Sequence, residues 1–344
     1  MRGINMKDNL ILHLMILDKF IPPFIEFLLK NFDTKNHKFV ILGSKDFKFG
    51  LKEEWPIIFI DKKIKYIKLF YLINKSNQII IHGLWNERLV QLLLLQPWVL
   101  KKCYHVMWGG DFYFPEQQSL AKRELIKRIG NFITYIDGDY EYVKKFYEAR
   151  GKYHKCFMYP SNIFKDYNIT TKKENNIINI QVGNSATETN QHLKVFDIIS
   201  KFKDKNIKIF CPISYGNKEY AKEVEKRGKE LFGDKFIAIN EFMPYERYFE
   251  FLANIDIAIF FHNRQQGMGN TINLLGMGKK VYLNKNTPQY KLFESLGVKV
   301  YDFEEEFNLE IIDEEVKEKN QRIIRKYFSE ENLKKQLKNI FEGG

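Results

Sequence analysis

The stretch Phe260-Phe-His-Asn-Arg-Gln-Gln-Gly-Met-Gly-Asn-Thr271 decides the fold class, because it links an apolar strand to an apolar helix through a glycine-rich loop. The strand is predicted over Asp256–Phe261. A helix that begins here offers unpaired N–H groups and about half a positive charge. Gly267 and Gly269 let the backbone approach a ligand, and Arg264 suits a bidentate grip on phosphate oxygens. The loop therefore predicts a pyrophosphate site in a nucleotide or nucleotide-sugar enzyme.

The rest of the chain alternates short apolar runs with helical patterns, which is typical of parallel α/β architecture. A polar stretch over residues 161–176 is the predicted linker. We predict one doubly wound domain over residues 1–165 and a second over 175–313, with their strand ends facing each other across a cleft. The charged amphipathic pattern over 314–344 predicts a single helix that packs back toward the N-terminal domain. The predicted strands are Leu10–Leu17, Phe39–Leu42, Ile57–Ile60, Gln78–Ile81, Lys102–Met107, Asn131–Ile136, Ile177–Val182, Ile207–Cys211, Phe236–Asn240, Asp256–Phe261 and Lys280–Asn284.

The composition narrows the possible partners. Lysine and arginine outnumber acids by 55 to 43, a net charge of +12, which suits an anionic partner or a merely solvated surface. No nucleic-acid-binding module is recognisable, so nucleic acid is not expected. The apolar run Leu89–Leu100 is too short and polar to span a bilayer. Together with the basic stretch Lys122–Arg128, it predicts either contact with an anionic membrane surface or ordinary solvated helix faces.

A second loop follows the first strand of the C-terminal domain. In Gln181-Val-Gly-Asn-Ser185, the residues Gly183, Asn184 and Ser185 can present donors to a phosphate. The pattern is neither GxGxxG nor a P-loop, so a Rossmann dehydrogenase or a P-loop kinase is not indicated. The alternative is an ordinary loop in which Thr189 or Asn190 caps the next helix. Its place at the same sheet edge as Arg264 favours a functional loop.

The turn Trp108-Gly-Gly-Asp111 ends a predicted strand of the N-terminal domain. A carboxylate at that edge can act as a general base toward a sugar hydroxyl, whereas a turn aspartate can simply bond its own backbone. A cleft that holds both the nucleotide site and Asp111 would favour an enzyme. A buried and satisfied Asp111 would favour a non-catalytic nucleotide- or glycan-binding protein.

Two further groups raise the question of a metal. Asp137-Gly-Asp139 resembles the DxD pair of metal-dependent glycosyltransferases, but a helix begins at once, and an N-cap or first-turn role for Asp139 is the simpler interpretation. His13, His82 and His105 lie at or beside strand ends without a metal-ligand spacing. We expect at least one of them to line a substrate cleft, and no metal site.

Several of these motifs together resemble glycosyltransferase family 56. The likeness extends over about residues 177–300 and is weaker in the first half. The residues that carry it are Gln181-Val-Gly-Asn-Ser185, Pro212-Ile-Ser-Tyr-Gly216 with Tyr220, Glu241-Phe-Met-Pro-Tyr-Glu-Arg-Tyr248, Arg264-Gln-Gln-Gly-Met-Gly269, Trp108-Gly-Gly-Asp111 and Ile133–Tyr142.

The resemblance implies a GT-B fold, in which two Rossmann-like domains face each other and the C-terminal one holds the donor nucleotide. It implies transfer of a Fuc4NAc-like deoxy-amino sugar from a dTDP donor to a polyprenyl-diphosphate-linked glycan, without an obligatory metal or other cofactor. The enzyme would then lie peripherally on the cytoplasmic face of the bacterial inner membrane, where surface polysaccharides such as enterobacterial common antigen are made. Many retaining GT-B enzymes carry two glutamates seven residues apart, where this chain has Gln266 and Asn273. A nucleotide-sugar epimerase of GT-B fold is the other enzymatic alternative.

The expected site residues fall into three groups: catalytic, donor-binding and acceptor-side. Arg264 stabilises the leaving diphosphate and Asp111 is the candidate base. The expected donor-binding residues are Gly183, Asn184, Ser185, Glu241, Phe242, Tyr245, Gln266, Gly267, Gly269, Asn270 and Thr271. The expected acceptor-side residues are His13, His82, Trp108, Gly109 and Gly110.

Overall fold

The computed structural model of the chain describes residues 9–166 and 176–342. The chain divides into two units. Unit 1 comprises Met1–Ser161 with Glu330–Gly344, and unit 2 comprises Asn162–Ser329. The larger part of the predicted linker, 167–175, lies outside the described residues.

Unit 1 is built on a seven-stranded parallel sheet. Its strands follow the order β3-β2-β1-β4-β5-β6-β7, so the direction of strand addition reverses between β1 and β4. In open α/β sheets such a reversal leaves a crevice at the carboxyl ends of the two strands, where ligands bind. The strands are β1 (Ile11–Met15), β2 (His37–Ile41), β3 (Ile57–Phe59), β4 (Gln78–His82), β5 (Cys103–Val106), β6 (Asn131–Thr134) and β7 (Lys152–Lys155).

Five helices connect these strands, and their buried faces complete an apolar core. The first begins with Ile21-Pro22-Pro23, where proline is tolerated because first-turn N–H groups have no intrahelical acceptor. The helices are α1 (Ile21–Asn31), α2 (Tyr66–Lys75), α3 (Glu87–Leu94), α4 (Leu120–Arg128) and α5 (Asp137–Tyr147).

Unit 2 repeats this architecture with six parallel strands in the order β10-β9-β8-β11-β12-β13, which reverses between β8 and β11. The strands are β8 (Ile178–Val182), β9 (Ile207–Pro212), β10 (Phe236–Ile239), β11 (Ile257–Phe260), β12 (Lys280–Leu283) and β13 (Tyr301–Asp302). The helices are α6 (His192–Ile199), α7 (Lys218–Phe232), α8 (Tyr245–Ala253), α9 (Met268–Gly276), α10 (Pro288–Ser295), α11 (Phe303–Glu306) and α12 (Glu314–Tyr327). Within the described residues, no helix is both long enough and apolar enough to cross a membrane.

The predicted single helix over 314–344 is wrong, because the chain ends in two helices. The first, α12, stays in unit 2, where the Asn320 side chain exchanges two hydrogen bonds with the Lys299 backbone. Phe328 is buried and its carbonyl accepts from the Phe164 amide, which interrupts the helix. Only α13 (Glu330–Phe341) belongs to unit 1. Ser329, followed by two glutamates, is a typical helix start that the charged periodicity concealed.

Two strands, β7 and β13, were not predicted from the sequence. β7 is the edge strand Lys-Tyr-His-Lys, whose end residues are exposed, so it lacks an apolar pattern. β13 has only two residues.

Candidate functional site

The two loops that the sequence singles out meet at the strand-order reversal of unit 2. One follows β8 and the other follows β11, and these strands are parallel neighbours. The backbone N–H of Asn263 donates to the Thr189 carbonyl at 3.1 Å, an ordinary hydrogen-bond length. The Gln191 side chain donates to the Phe261 carbonyl at 2.8 Å. The prediction that the loops share one sheet edge is therefore confirmed by the strand pairing.

The Gln266 side chain ties the two loops together. Its Nε2 donates to the hydroxyls of Ser185 (3.2 Å) and Thr187 (3.0 Å). Its Oε1 accepts from Thr189 at 2.6 Å. The structure thus places the Gln266 amide and the Ser185 hydroxyl in contacts within the protein, where the sequence predicted contacts with the donor.

A buried asparagine and a buried histidine support the same loops from below. Asn190 Oδ1 accepts from the Asn184 amide and faces His262 Nε2, each at 3.0 Å. His262 Nδ1 faces the Gln266 carbonyl at 3.2 Å. Burial, and then the nearby His192, lower the pKa of His262 to about 3. Neither Asn190 nor His262 was among the predicted site residues.

Gly183 has a steric reason to be glycine. Its φ of +67° lies in the left-handed region, and a Cβ at this position would come within 2.4 Å of the His192 Nε2 atom. His192 is itself buried and faces the Tyr220 hydroxyl at 3.3 Å. A side chain at residue 183 would therefore displace the histidine beneath the loop.

The N-terminus of α9 is the feature of this edge that remains open to a ligand. Gly267 is the N-cap residue, with φ +68°, and as a glycine it supplies no side-chain cap. Gly269 and Asn270 are half-buried. A Cβ on Gly267 would lie 3.2 Å from His262 and 3.3 Å from Asn184, so the loop after β8 lies directly against the helix start. Arg264 is half-buried beside it, with one N–H bonded to the Gln265 carbonyl at 2.9 Å.

The Thr271 side chain faces the interior instead of a ligand. It is buried, its hydroxyl donates to the Gly267 carbonyl at 3.2 Å, and it accepts from Gln289 at 2.8 Å. The Gln289 Oε1 atom in turn accepts from the backbone N–H of Gln266 at 3.3 Å. Thr271 and Gln289 therefore fix the shape of the loop, which corrects the predicted donor-binding role of the Thr271 hydroxyl.

Glu241, Phe242 and Tyr245, which were predicted to bind the donor, belong to the edge of the sheet beyond β9. Glu241 and Phe242 follow β10, the edge strand, and Phe242 is 79% exposed. The Tyr245 side chain lies outside what the structure describes, although α8 begins there. Two other tyrosines lie closer. Tyr215 accepts from Asn184 Nδ2 at 3.2 Å. Burial, and then proximity to Tyr215, raise the pKa of Tyr248, which also lies beside Asn270.

The carboxyl edge of the unit 1 sheet carries aromatic residues and two carboxylates, Asp18 and Asp111. Phe20 and Asp18 follow β1, Trp85 follows β4, and Trp108 follows β5. The Trp108 ring makes edge-to-face contacts with Phe20 (5.7 Å) and Trp85 (6.3 Å). Trp85 lies so close over Gly110 that a Cβ there would be 2.8 Å from its ring. Apolar rings with a few polar groups are typical of small-molecule pockets.

Asp111 is not placed as a general base. Its carboxylate is fully buried and accepts from His105 Nε2 (2.6 Å) and from the amides of Leu84 and Trp108 (3.0 Å each). Burial alone would raise the pKa of Asp111, but His105 and the two amides outweigh it and hold that pKa below its ordinary value. The carboxylate therefore closes the turn after β5, which is the alternative role that the sequence left open. Gly109, with φ +90°, forms the turn itself.

Asp18 is the better-placed carboxylate at this edge. It is half-buried, and its Oδ1 accepts from the Phe20 amide at 3.4 Å. The other acids that follow strands here are engaged: Asp61 pairs with Lys65 (2.6 Å), and Asp137 pairs with Lys155 (3.1 Å). The sequence signal for Asp18 was its position just after the first strand of a doubly wound domain.

The predicted acceptor-side histidines are interior residues. His13 and His82 are fully buried. They belong to a hydrogen-bonded chain in which Trp108 Nε1 donates to Tyr159 (2.8 Å), Tyr159 contacts His82 (2.8 Å), His82 contacts His13 (3.3 Å) and His13 contacts His37 (2.9 Å). Burial lowers the pKa of His82 to about 3. Of the predicted acceptor-side side chains, only Trp108 reaches the sheet edge, and the prediction for His13 and His82 is wrong because both point into the core.

The candidate metal pair is also structural. Asp139 lies in the first turn of α5, is buried and accepts from the Tyr113 hydroxyl, as the first-turn interpretation predicted. Asp137 accepts from Tyr153 at 2.6 Å. Among the residues that the structure describes, no three His, Cys, Asp or Glu side chains are grouped as metal ligands.

Solved structures share this fold over almost the whole chain. A glycosyltransferase from Rickettsia africae ESF-5 aligns with a TM-score of 0.71 at 13% identity, covering 96% of this chain and 97% of its own. HepE from Anabaena, solved with UDP and glucose, aligns at 0.68 and 10% identity, covering 97% and 99%. WaaG, a glycosyltransferase of lipopolysaccharide biosynthesis, aligns at 0.62 and 10% identity, covering 97% and 100%. These likenesses show the GT-B glycosyltransferase fold.

The family assignment comes from the sequence as a whole. The family model described as 4-alpha-L-fucosyltransferase, glycosyl transferase group 56, matches residues 24–338. The match includes the sheet edge of unit 2 and, in unit 1, Trp85, Trp108 and Asp111, and it begins after β1, Asp18 and Phe20. The chain is therefore a glycosyltransferase enzyme, and it belongs to glycosyltransferase group 56.

Proposed function

We propose that this enzyme transfers a Fuc4NAc-like deoxy-amino sugar from a dTDP-linked donor to a polyprenyl-diphosphate-linked glycan. The reaction would take place at the cytoplasmic face of the bacterial inner membrane, in surface polysaccharide synthesis. The observation that carries the donor half is the uncapped N-terminus of α9 beside Arg264, with the loop after β8 held against it by Gln266. The family match and the UDP bound in HepE support a nucleotide-sugar donor.

The donor diphosphate would lie on backbone groups more than on side chains. The N–H groups of Met268, Gly269 and Asn270 begin α9, where the helix dipole favours an anion. Arg264 supplies the full positive charge. When the glycosidic bond to the donor breaks, negative charge grows on the leaving dTDP, and fixed N–H groups and a guanidinium can stabilise it. We therefore propose that no metal or other cofactor is required. Tyr215 and Tyr248 would lie toward the nucleoside.

The acceptor half rests on unit 1. Trp85, Trp108 and Phe20 offer apolar ring faces at the carboxyl edge of its sheet. If the anomeric centre inverts, a base must take the proton of the acceptor hydroxyl, and we propose Asp18 for this role. Its position at the strand-order reversal of unit 1 corresponds to that of the Gly183 loop in unit 2.

The test is a donor panel assayed with a defined acceptor. Purified enzyme is incubated with radiolabelled dTDP-, UDP- and GDP-sugars, with and without a short-chain polyprenyl-diphosphate glycan, in the presence of EDTA. We expect label to enter the acceptor from a dTDP-deoxyaminosugar and not from the same sugar on UDP or GDP. Transfer from UDP alone would overturn the nucleotide assignment, and a requirement for Mg²⁺ would overturn the metal-free leaving group. Conversion of the donor sugar without an acceptor would instead show an epimerase.

A further inference from the structure

The outer face of α2 in unit 1 exposes an unusual row of large apolar side chains. Ile64 just before the helix, and Ile67, Phe70 and Tyr71 within it, are all exposed, while Leu69 and Ile73 on the opposite side are buried in the core. Ile67 is 68% exposed. Single exposed apolar residues are ordinary, but a contiguous row of them on one helix indicates a contact surface.

The segment after α3 extends this row. Asn74, near the end of α2, accepts from Trp98 Nε1 at 2.9 Å and donates to Gln96 at 2.6 Å. These bonds hold Trp98, 62% exposed, and the neighbouring Leu95, 76% exposed, against the end of α2. We call the resulting patch the α2 surface; its residues are Ile64, Ile67, Phe70, Tyr71, Leu95 and Trp98.

Lysines border the α2 surface. The segment 62–75 contains five lysines and no acid. Lys65 pairs with Asp61, just before the segment. Within the described residues, Lys62, Lys63, Lys68, Lys75 and Lys101 form no ion pair and are exposed. An apolar helix face bordered by unpaired lysines is typical of a helix that lies on an anionic membrane.

The positive charge continues past Trp98 along the amino ends of β5, β6 and β7. Lys101 lies at one side of a groove of about 770 Å³ there, which Arg150 and Lys152 also line. The α2 surface and this groove are therefore joined by a continuous basic border. A bilayer with anionic headgroups offers both complements, an apolar boundary for the row of side chains and phosphates for the lysines.

We propose that the α2 surface docks the enzyme on an anionic phospholipid bilayer, with its apolar side chains at the headgroup boundary and its lysines on the phosphates. This proposal rests on the proposed function, since a polyprenyl-linked acceptor is presented at such a bilayer. Trp98 and Tyr71 have the amphipathic rings that favour the membrane–water interface.

The surface predicted from Lys122–Arg128 is a different one, and it carries little free charge. Lys122 is buried and contacts Glu87 at 3.5 Å. Lys127 pairs with Glu148 at 2.6 Å, and Arg128 lies 3.7 Å from Glu124. The neighbouring acids offset these cations, so the solvated-face interpretation fits α4 better. Of the apolar run Leu89–Leu100, only its later part contributes to the α2 surface.

Vesicle sedimentation tests the docking proposal directly. Wild-type enzyme is mixed with phosphatidylcholine vesicles that contain either no phosphatidylglycerol or about 30% of it. We expect binding to the anionic vesicles, and a partition coefficient that falls roughly tenfold in Ile67→Glu and in Lys68→Glu. The matched controls are Ile311→Glu, whose side chain is 67% exposed in unit 2, and Lys226→Glu on α7, which is also exposed. Both controls should bind like wild type.

Activity assays separate this proposal from the proposed function. With a short-chain, water-soluble acceptor, Ile67→Glu should turn over like wild type, whereas with a long-chain acceptor in vesicles it should be slower. Equal vesicle binding by Ile67→Glu and Ile311→Glu would overturn the surface, even if transfer occurs. Vesicle binding without transfer from any dTDP-sugar would leave the surface standing and overturn the proposed function. A wild-type dimer that Ile67→Glu converts to a monomer, without any effect on vesicle binding, would assign the surface to a second copy instead.

Discussion

The carboxyl edges of the two sheets carry different kinds of residue, although the two strand orders follow the same pattern. In unit 2 the polar side chains bond one another: Gln266 links to Ser185 and Thr187, and Asn190 links to His262. The N-terminus of α9 offers backbone N–H groups to a ligand, and the Arg264 guanidinium lies beside it. In unit 1 the edge is aromatic. Its histidines and Tyr159 form a buried chain, Asp111 closes a turn, and Asp18 stays half-buried.

The difference shows how a polar residue near a site is to be interpreted. A side chain in a loop after a strand is just as useful for holding the loop as for touching a ligand, because buried polar groups require partners. Asp111 illustrates this. The burial of Asp111 would have favoured a non-catalytic binding protein, yet the family match shows an enzyme. A buried and hydrogen-bonded Asp111 excludes one candidate base, but it does not exclude catalysis by other residues.

The largest effect is expected from Asp18, and it is best measured against Asp111 at the same edge of unit 1. Asp18→Asn keeps the shape and removes the basicity, so kcat should fall by roughly 10²–10⁴ while dTDP affinity stays unchanged. Asp111→Asn places an amide NH₂ among donors that need an acceptor, which should cost about 1–3 kcal/mol of stability. Its kcat per folded molecule should stay within a few-fold of wild type.

Steady-state kinetics, with the folded fraction from urea unfolding, separate the two cases. If Asp111→Asn loses activity while folded and Asp18→Asn does not, the assignment is reversed. If neither loses activity, the reaction uses no carboxylate base at this edge, as retention of the anomeric configuration would allow.

The functional edges of the two sheets could be predicted from the sequence far better than the individual side-chain contacts. The glycine loop after β11 and the loop after β8 were identified because glycines and an arginine between a strand and a helix form a local pattern. The partners of Gln266 lie about eighty positions earlier in the chain, and no local pattern encodes a bond of that range. His13 and His82 lie on strands that are buried on both faces. Because apolar residues occupy both faces of such strands, the sequence pattern does not indicate toward which side a histidine points.

An intermediate loss of folding stability is expected at acidic pH, and histidines of both units should contribute to it. The unfolded-state pKa of histidine is about 6.5, whereas burial lowers the pKa of His82 in unit 1 and of His192 in unit 2 to about 3. Because the unfolded chain takes up protons first, the stability present above pH 6.5 is lost as the pH falls toward 3. At pH 4.5 each such histidine should cost about 2–3 kcal/mol.

His192→Phe tests this, because the structure shows no partner for its Nε2 among the described residues. The variant should lose about 2–3 kcal/mol less than wild type between pH 7.5 and 4.5 in urea unfolding. Surface Lys226→Ala should follow the wild-type curve. Parallel curves for His192→Phe and wild type would mean that His192 is already protonated or solvated in the folded protein.

The smallest effect separates the ligand contact from the loop contact within unit 2. Arg264→Ala removes a charge-assisted grip worth about 1.5–3 kcal/mol, so dTDP should bind roughly tenfold to hundredfold more weakly. Gln266→Ala removes bonds between the loops and should instead lower stability by about 1 kcal/mol, with less than about tenfold loss of dTDP affinity. Calorimetry measures the affinities and urea unfolding the stabilities. Equal dTDP binding by Arg264→Ala and wild type would remove the guanidinium from the site. A larger affinity loss in Gln266→Ala than in Arg264→Ala would mean that the amide contacts the donor and that its bonds to Ser185 and Thr187 give way when the donor binds.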